Sequence, residues 1–152
     1  MKTNIVITKA NDKKVSLHLP IDVVAGNNFS NNANQKVFDV KNIEKGWEGM
    51  DAGPKSLKLF EAIILKCNTI LWNGPLGVFE FENFAKGTFQ IGEFIAKKTK
   101  KGAFSLVGGG DLVFAVKKFG LEDRMSYVST GGGAMLESLE GEILPGIKAL
   151  ID

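Results

Sequence analysis

Three times in this chain a short run of β-forming residues stops at a glycine-rich turn, and a helical pattern takes over. Thr69 to Trp72 leads into Asn73-Gly74-Pro75-Leu76-Gly77, Phe104 to Val107 into Gly108-Gly109-Gly110-Asp111, and Tyr127-Val128 into Thr130-Gly131-Gly132-Gly133. Strands separated by helices pair in parallel through crossover connections, so the spacing predicts an α/β fold with a mainly parallel sheet. The three turns then share the carboxyl edge of that sheet. Strand-to-helix connections open there, and the following helices present free N–H groups.

The helices follow from apolar spacing. Gly53-Pro54 followed by Leu57, Phe60, Ile63, Ile64 and Cys67 reads as a helix with proline in its first turn. Phe84, Phe89, Ile91, Phe94 and Ile95 predict a long helix, in which Gly87 and Gly92 cost about 1 kcal/mol each. Leu112 to Phe119 is predicted as a helix ended by Gly120, Ala134 to Leu139 as one ended by Gly141, and Pro145 to Ile151 as a last helical turn. Upstream, Val15 to Leu19 alternates as a strand stopped by Pro20, Asp22 to Ala25 is a second extended piece, and Gly26 to Gln35 is loop. No linker or repeat divides residues 1–152, so one domain is expected.

Composition narrows the function. With 19 basic and 17 acidic residues among 152 the net charge is +2, which supplies no clustered basic excess for nucleic acid or an anionic membrane. The lysine runs at 97–101 and 117–118 sit near predicted helix ends, where cations offset the carbonyl end of the dipole. The single cysteine, Cys67, excludes an internal disulfide and has no partner at zinc-ligand spacing. Lys9, Asn11 and Asp12 interrupt the N-terminal apolar run before a signal core or membrane span forms, and the expected location is the cytoplasm.

The glycine turns carry the chemistry. Backbone without Cβ atoms approaches a phosphate closely, and two helix N-termini side by side suit negative charge on a transferring phosphoryl group. Neither triple glycine continues as Gly-Lys-Ser or Gly-Lys-Thr, and Gly108-Gly109-Gly110 lacks the order of a dinucleotide fingerprint. Asp111, the one carboxylate inside the turns, either caps the helix it opens or holds a magnesium-nucleotide, and both roles stay open. On its own pattern Glu80 reads as a solvated carboxylate beside Glu82, and His18 has no partner and no assigned role.

The segments Leu71-Trp72-Asn73-Gly74-Pro75-Leu76-Gly77-Val78-Phe79-Glu80, Val107-Gly108-Gly109-Gly110-Asp111 and Val128-Ser129-Thr130-Gly131-Gly132-Gly133-Ala134 together resemble the C-terminal, nucleotide-binding part of phosphoglycerate kinase. The resemblance extends through Leu19 to Val24, Gly46 to Asp51 with Gly53-Pro54, Leu139-Glu140-Gly141 and Leu144-Pro145-Gly146. It implies a partial, Rossmann-like three-layer sandwich, incomplete relative to the family domain. It also implies binding of ADP or ATP with Mg²⁺ during reversible phosphoryl transfer between the nucleotide and 3-phosphoglycerate, a step of glycolysis.

Carried over position by position, Gly49 and Met50 line the adenine side, Asn73, Pro75 and Val78 form the nucleotide wall, and Glu80 takes the ribose. Asp111 holds the metal. Amides of Gly109, Gly110, Asp111 and Leu112, and of Gly131, Gly132 and Gly133, face the phosphates, with Gly110 and Gly132 as the catalytic donors.

This sequence departs from the family in several ways. Leu112 stands where the family usually has threonine, and Met50 replaces the usual leucine. The phosphoglycerate-binding domain and a lysine-bearing loop that contacts the nucleotide phosphates have no counterpart in this sequence. Activity is therefore expected only with a separate polypeptide that supplies them. The alternative is a non-enzymatic remnant of a decayed or split gene, with weak or no nucleotide binding.

Overall fold

A computed structural model describes residues 2–141 and 143–151; Met1, Glu142 and Asp152 lie outside the described residues. The chain runs α1 (Lys2–Asp12), β1 (Asp22–Gly26), β2 (Gln35–Asp39), β3 (Glu48–Ala52), α2 (Pro54–Ile64), β4 (Thr69–Asn73), α3 (Lys86–Lys100), β5 (Phe104–Gly108), α4 (Gly110–Lys118), β6 (Tyr127–Val128), α5 (Gly132–Leu139) and α6 (Pro145–Ile151). Single 3₁₀ turns at Glu82–Phe84 and Glu122–Arg124 precede α3 and β6.

The predicted parallel sheet is present, with order β4-β5-β6 and Asn73 in register with Gly108. Beside it is an antiparallel sheet of order β2-β1-β3, in which Val23 faces Phe38 on one side and Ala52 on the other. The sequence reading found β1 but neither β2 nor β3. Their strands QKVFD and EGMDA are largely polar and mix exposed with buried positions, which masks the two-residue period.

The predicted strand Val15 to Leu19 is not formed. Both edges of β1 are occupied by β2 and β3, and Val15, Leu17 and Leu19 are exposed outside any sheet. Alternation alone does not make a strand where no neighbour packs against the apolar positions. The long helix starts at Lys86 rather than at Phe84, which sits fully buried in the preceding 3₁₀ turn.

The main core joins the parallel sheet to α2, α3 and α4 through Leu57, Trp72, Ile91, Ile95, Val107, Leu112, Val116 and Leu121. Gly87 and Gly92 of α3, costly by propensity, are close-approach positions. A Cβ on Gly87 would lie 2.1 Å from Asp51 Oδ1, and one on Gly92 would lie 2.4 Å from Leu121 Cδ1. Strand β4 leaves Thr69, Leu71 and Asn73 exposed, because only one face of the strand meets the helical layer.

Two buried aspartates of the antiparallel sheet tie the layers together. Proline at the first position of α2 has no N–H, and Asp22 accepts the next two amides, Lys55 N at 3.0 Å and Ser56 N at 2.7 Å. The Ser56 hydroxyl donates to Asp22 Oδ1 at 2.6 Å and accepts the Asp22 amide at 3.0 Å. Burial alone raises the Asp22 pKa, but the hydroxyl and the two amides outweigh it and hold the carboxyl below its ordinary value. Asp51 does the same for α3, accepting Gly87 N at 2.7 Å.

Asp22 therefore contributes stability that is present above the unfolded pKa and lost as pH falls through its lowered folded value. Replacing it with alanine removes a cap and strands the Ser56 hydroxyl, an expected loss of about 2–4 kcal/mol in denaturant unfolding at pH 7. Asp51 has the opposite sign. Burial outweighs the amides of Gly87 and Ala52 and lifts its pKa to about 6. Its contribution is full below about pH 4 and fades as pH rises through 6. Asp51→Asn should thus gain on the native protein by about 2 kcal/mol between pH 4.5 and pH 7.5, measured as the change in their stability difference.

Candidate nucleotide site

The three glycine turns meet at the carboxyl edge of β4, β5 and β6. A Cβ placed on Gly132 would lie 2.3 Å from the backbone nitrogen of Gly109 and 2.7 Å from its Cα. One placed on Gly109 would lie 2.9 Å from Asn73 Oδ1, and the Gly74 nitrogen is within 3.9 Å of the same point. Residues from three separate strand ends therefore pack against one another. Gly109 has φ +90° and Gly74 has φ +115°, a region that side chains oppose, so both positions need glycine for their conformation, and Gly109 needs it for space as well.

The helices leaving these turns differ from the two before them. Helices α2 and α3 have their leading amides taken by Asp22 and Asp51. In α4 the first intrahelical bond is from Val113 N to Gly109 O, and in α5 it is from Met135 N to Gly131 O. The amides of Gly110, Asp111 and Leu112, and those of Gly132, Gly133 and Ala134, precede these bonds, and no side chain caps either helix. Two uncapped N-termini, side by side at a sheet edge, leave main-chain donors open where the helix dipoles are positive.

The segment from Asn73 to Glu80 links this pocket to the antiparallel sheet. Leu76 N donates to the buried Thr88 hydroxyl at 3.1 Å, and Val78 N donates to Met50 O at 2.9 Å. Gly77 fits against the Asp51 carboxylate, where a Cβ would lie 2.4 Å from Oδ1. The sequence candidates thus form a continuous strip from Gly49 and Met50, through Val78, Pro75 and Asn73, to Gly109–Leu112 and Gly131–Gly133.

Individual side chains divide by accessibility. Met50 is buried against Ala33 and Phe84, with Val78 packed on the same cluster, so its part in the strip is support from beneath. Leu112 is fully buried in the main core and offers the site only its amide. Asp111 and Glu80 are exposed, and their carboxylates accept no hydrogen bond among the described residues, so Asp111 does not cap α4. Sequence reading missed Thr88 and Asp51, which hold the 73–80 segment. Their signal, a Gly-Thr pair before a phenylalanine and an aspartate before Ala-Gly-Pro, has meaning only once the layers are assembled.

Main-chain crowding at Gly132 generates a sharp contrast. Gly132→Ala should push the β5 and β6 turns apart and destabilise the protein by about 1–3 kcal/mol. Gly133→Ala, next to it in open space, should change stability by no more than about 0.5 kcal/mol in the same chemical denaturation series.

Comparison with known proteins places the chain. The phosphoglycerate kinase family matches residues 2–142. Among curated relatives, the phosphoglycerate kinase of Thermosynechococcus vestitus is 53% identical over 145 residues, covering 95% of this chain and 36% of the relative. That of Rippkaea orientalis is 53% identical over 142 residues, covering 93% and 36%. Of solved structures, phosphoglycerate kinase from Coxiella burnetii superposes with a TM-score of 0.87 at 45% identity, over 95% of this chain and 36% of that one. The Pyrococcus horikoshii enzyme gives 0.71 at 33% identity, over 86% and 31%. The chain spans about a third of the length of these relatives, and within that span it belongs to the phosphoglycerate kinase family.

Proposed function

We propose that this chain supplies the ADP/ATP-binding half of a phosphoglycerate kinase site, and that it acts only together with the remaining two-thirds of the family's length. The observation that carries this reading is the pair of uncapped helix N-termini at α4 and α5, in contact through Gly109 and Gly132. Main-chain donors fixed by tertiary packing require no reorganisation when charge spreads over a transferring phosphoryl group. Gly110 and Gly132 are the donors assigned to that role, with Gly109, Asp111, Leu112, Gly131 and Gly133 beside them. Asn73, Pro75 and Val78 wall the nucleotide, Gly49 over buried Met50 bounds the adenine, and the free Glu80 carboxylate takes the ribose hydroxyls.

The donor set also fits a magnesium ion that arrives with the nucleotide. Among the described residues no cluster of three or more His, Cys, Asp or Glu side chains can cage a metal, whereas Asp111 presents one uncommitted carboxylate at the phosphate end. Mg²⁺ suits one carboxylate plus phosphate and water oxygens, and bound there it neutralises phosphate charge. Asp111 orients it, and the α4 amides hold the phosphate oxygens.

The rest of the family fold joins, in this reading, along the parallel sheet. Leu71, Leu106 and Tyr127 stand in register across β4, β5 and β6, and Leu71 and Tyr127 are exposed. Strand β4 pairs only with β5 and leaves its outer edge free for a further strand. No helix among the described residues is long and apolar enough to cross a membrane, so this apolar surface belongs to no transmembrane helix of that kind. The partner is the missing part of a phosphoglycerate kinase, on the same or a separate polypeptide, and the place of action is the cytoplasm.

Calorimetric titration with Mg-ADP tests the reading. Binding is expected in the millimolar range for the chain alone and at least tenfold tighter when the residues preceding this region in the Thermosynechococcus relative are added, with ATP turnover on 3-phosphoglycerate appearing only then. Asp111→Ala and Glu80→Ala should each weaken binding by about tenfold, or 1.4 kcal/mol. A folded chain that gives no heat with Mg-ADP in either arrangement would instead be a remnant without a ligand.

A further inference from the structure

A second concavity lies between the antiparallel sheet and helices α2 and α3, with a volume of about 670 Å³. None of its lining residues belongs to the glycine turns or to the strip that leads to them. Its size falls within the roughly 300–1,000 Å³ typical of small-molecule sites. Val24 and Val37 from the sheet and Leu57 and Phe94 from the helices give it an apolar surface. Val37 is 50% exposed, so this part of the cleft is open to solvent among the described residues.

The charges around it are unevenly committed. Lys36, on the sheet side, is paired with Glu44 at 2.6 Å. Lys58 of α2 and Lys86 of α3 also line the cleft, and neither forms an ion pair among the described residues. The acidic lining groups are Glu61 and Asp51. Asp51 is already occupied by the amides of Ala52 and Gly87, which leaves Glu61 as the carboxylate without a hydrogen-bond partner there. Gln90 adds an amide able to donate or accept.

We propose that this cleft binds a small molecule with a flat apolar body and one anionic group, of the aryl phosphate or aryl carboxylate class. The body lies on Val37 and Phe94, and Lys58 and Lys86 hold the anion from two different helices. Both requirements act together. An anion without an apolar body gains only exposed lysine contacts, which water and salt screen and Glu61 opposes, and an apolar body without a charge leaves Lys58 and Lys86 to water and the cleft's own carboxylates.

Phenyl phosphate is the probe, added to the intact chain and followed by amide and methyl NMR shifts. Saturable shifts are expected at Val37, Leu57 and Phe94. Inorganic phosphate should bind at least tenfold more weakly, and a Lys58→Ala/Lys86→Ala double variant should lose at least tenfold in affinity. Val37→Trp, at an exposed position, should fill the cleft and abolish the shifts while its unfolding midpoint stays that of the native protein. The proposal is overturned by shifts confined to Gly109 and Gly132, by equal binding of inorganic phosphate, or by undiminished affinity in the double lysine variant. Because none of the varied residues contributes to the glycine turns, Mg-ADP binding reports on the nucleotide site separately.

Discussion

A carboxylate withdrawn from water must be surrounded by donors, and at Asp51 those donors are the parts of the chain that have to be held in place. It accepts the leading amide of α3 from Gly87 and the amide of Ala52, and the backbone of Gly77 lies against it. One side chain of β3 therefore fixes the start of the helix behind β4 and the segment in front of it. Asp22 does the equivalent for α2 with help from Ser56, and Gly53 is glycine because a Cβ there would lie 2.3 Å from Asp22 Cγ. The small antiparallel sheet is thus more than an appendage. It supplies the caps that allow α2 and α3 to be buried, and through them the position of the parallel sheet.

The two sets of helix N-termini show how one physical requirement yields both scaffold and site. Every helix begins with amides that its own ladder cannot satisfy. Where buried aspartates satisfy them, as at α2 and α3, the helix start becomes a structural joint. Where glycine turns leave them open, as at α4 and α5, the same groups remain for a ligand. The division follows the topology. The first kind lies against the antiparallel sheet, whereas the second emerges from the carboxyl edge of the parallel one.

This division also explains which parts could be read from sequence. The three strand-turn-helix units were legible because glycine marks the turns and the apolar period changes on either side of each. The convergence of Gly109 and Gly132 followed from placing those units in one parallel sheet. Strands β2 and β3 were not legible: Lys36, Asp39, Glu48 and Asp51 interrupt the apolar pattern, and Asp51 is buried for a reason that lies 36 residues away at Gly87. Val15 to Leu19 misled in the opposite direction, since an alternating pattern has no value where nothing packs on its apolar positions and Val15, Leu17 and Leu19 stay exposed. Gly87 and Gly92 looked like weaknesses in a helix and are places where Asp51 and Leu121 come too close for any side chain.

Because the candidate phosphate donors are main-chain groups, the residues around them are constrained mostly by what they must lack. Gly132 cannot carry a Cβ, and Gly109 and Gly74 cannot easily leave positive φ. Leu112 is free to differ from the threonine usual in the family, because its side chain points into a core made by Trp72, Val107 and Val116 while its amide stays at the helix start. The substitution removes a hydroxyl and adds apolar burial. Asp111 and Glu80 are the opposite case. They are exposed carboxylates with no hydrogen-bond partner among the described residues, so neither the capping of α4 nor the packing of the 73–80 segment constrains them.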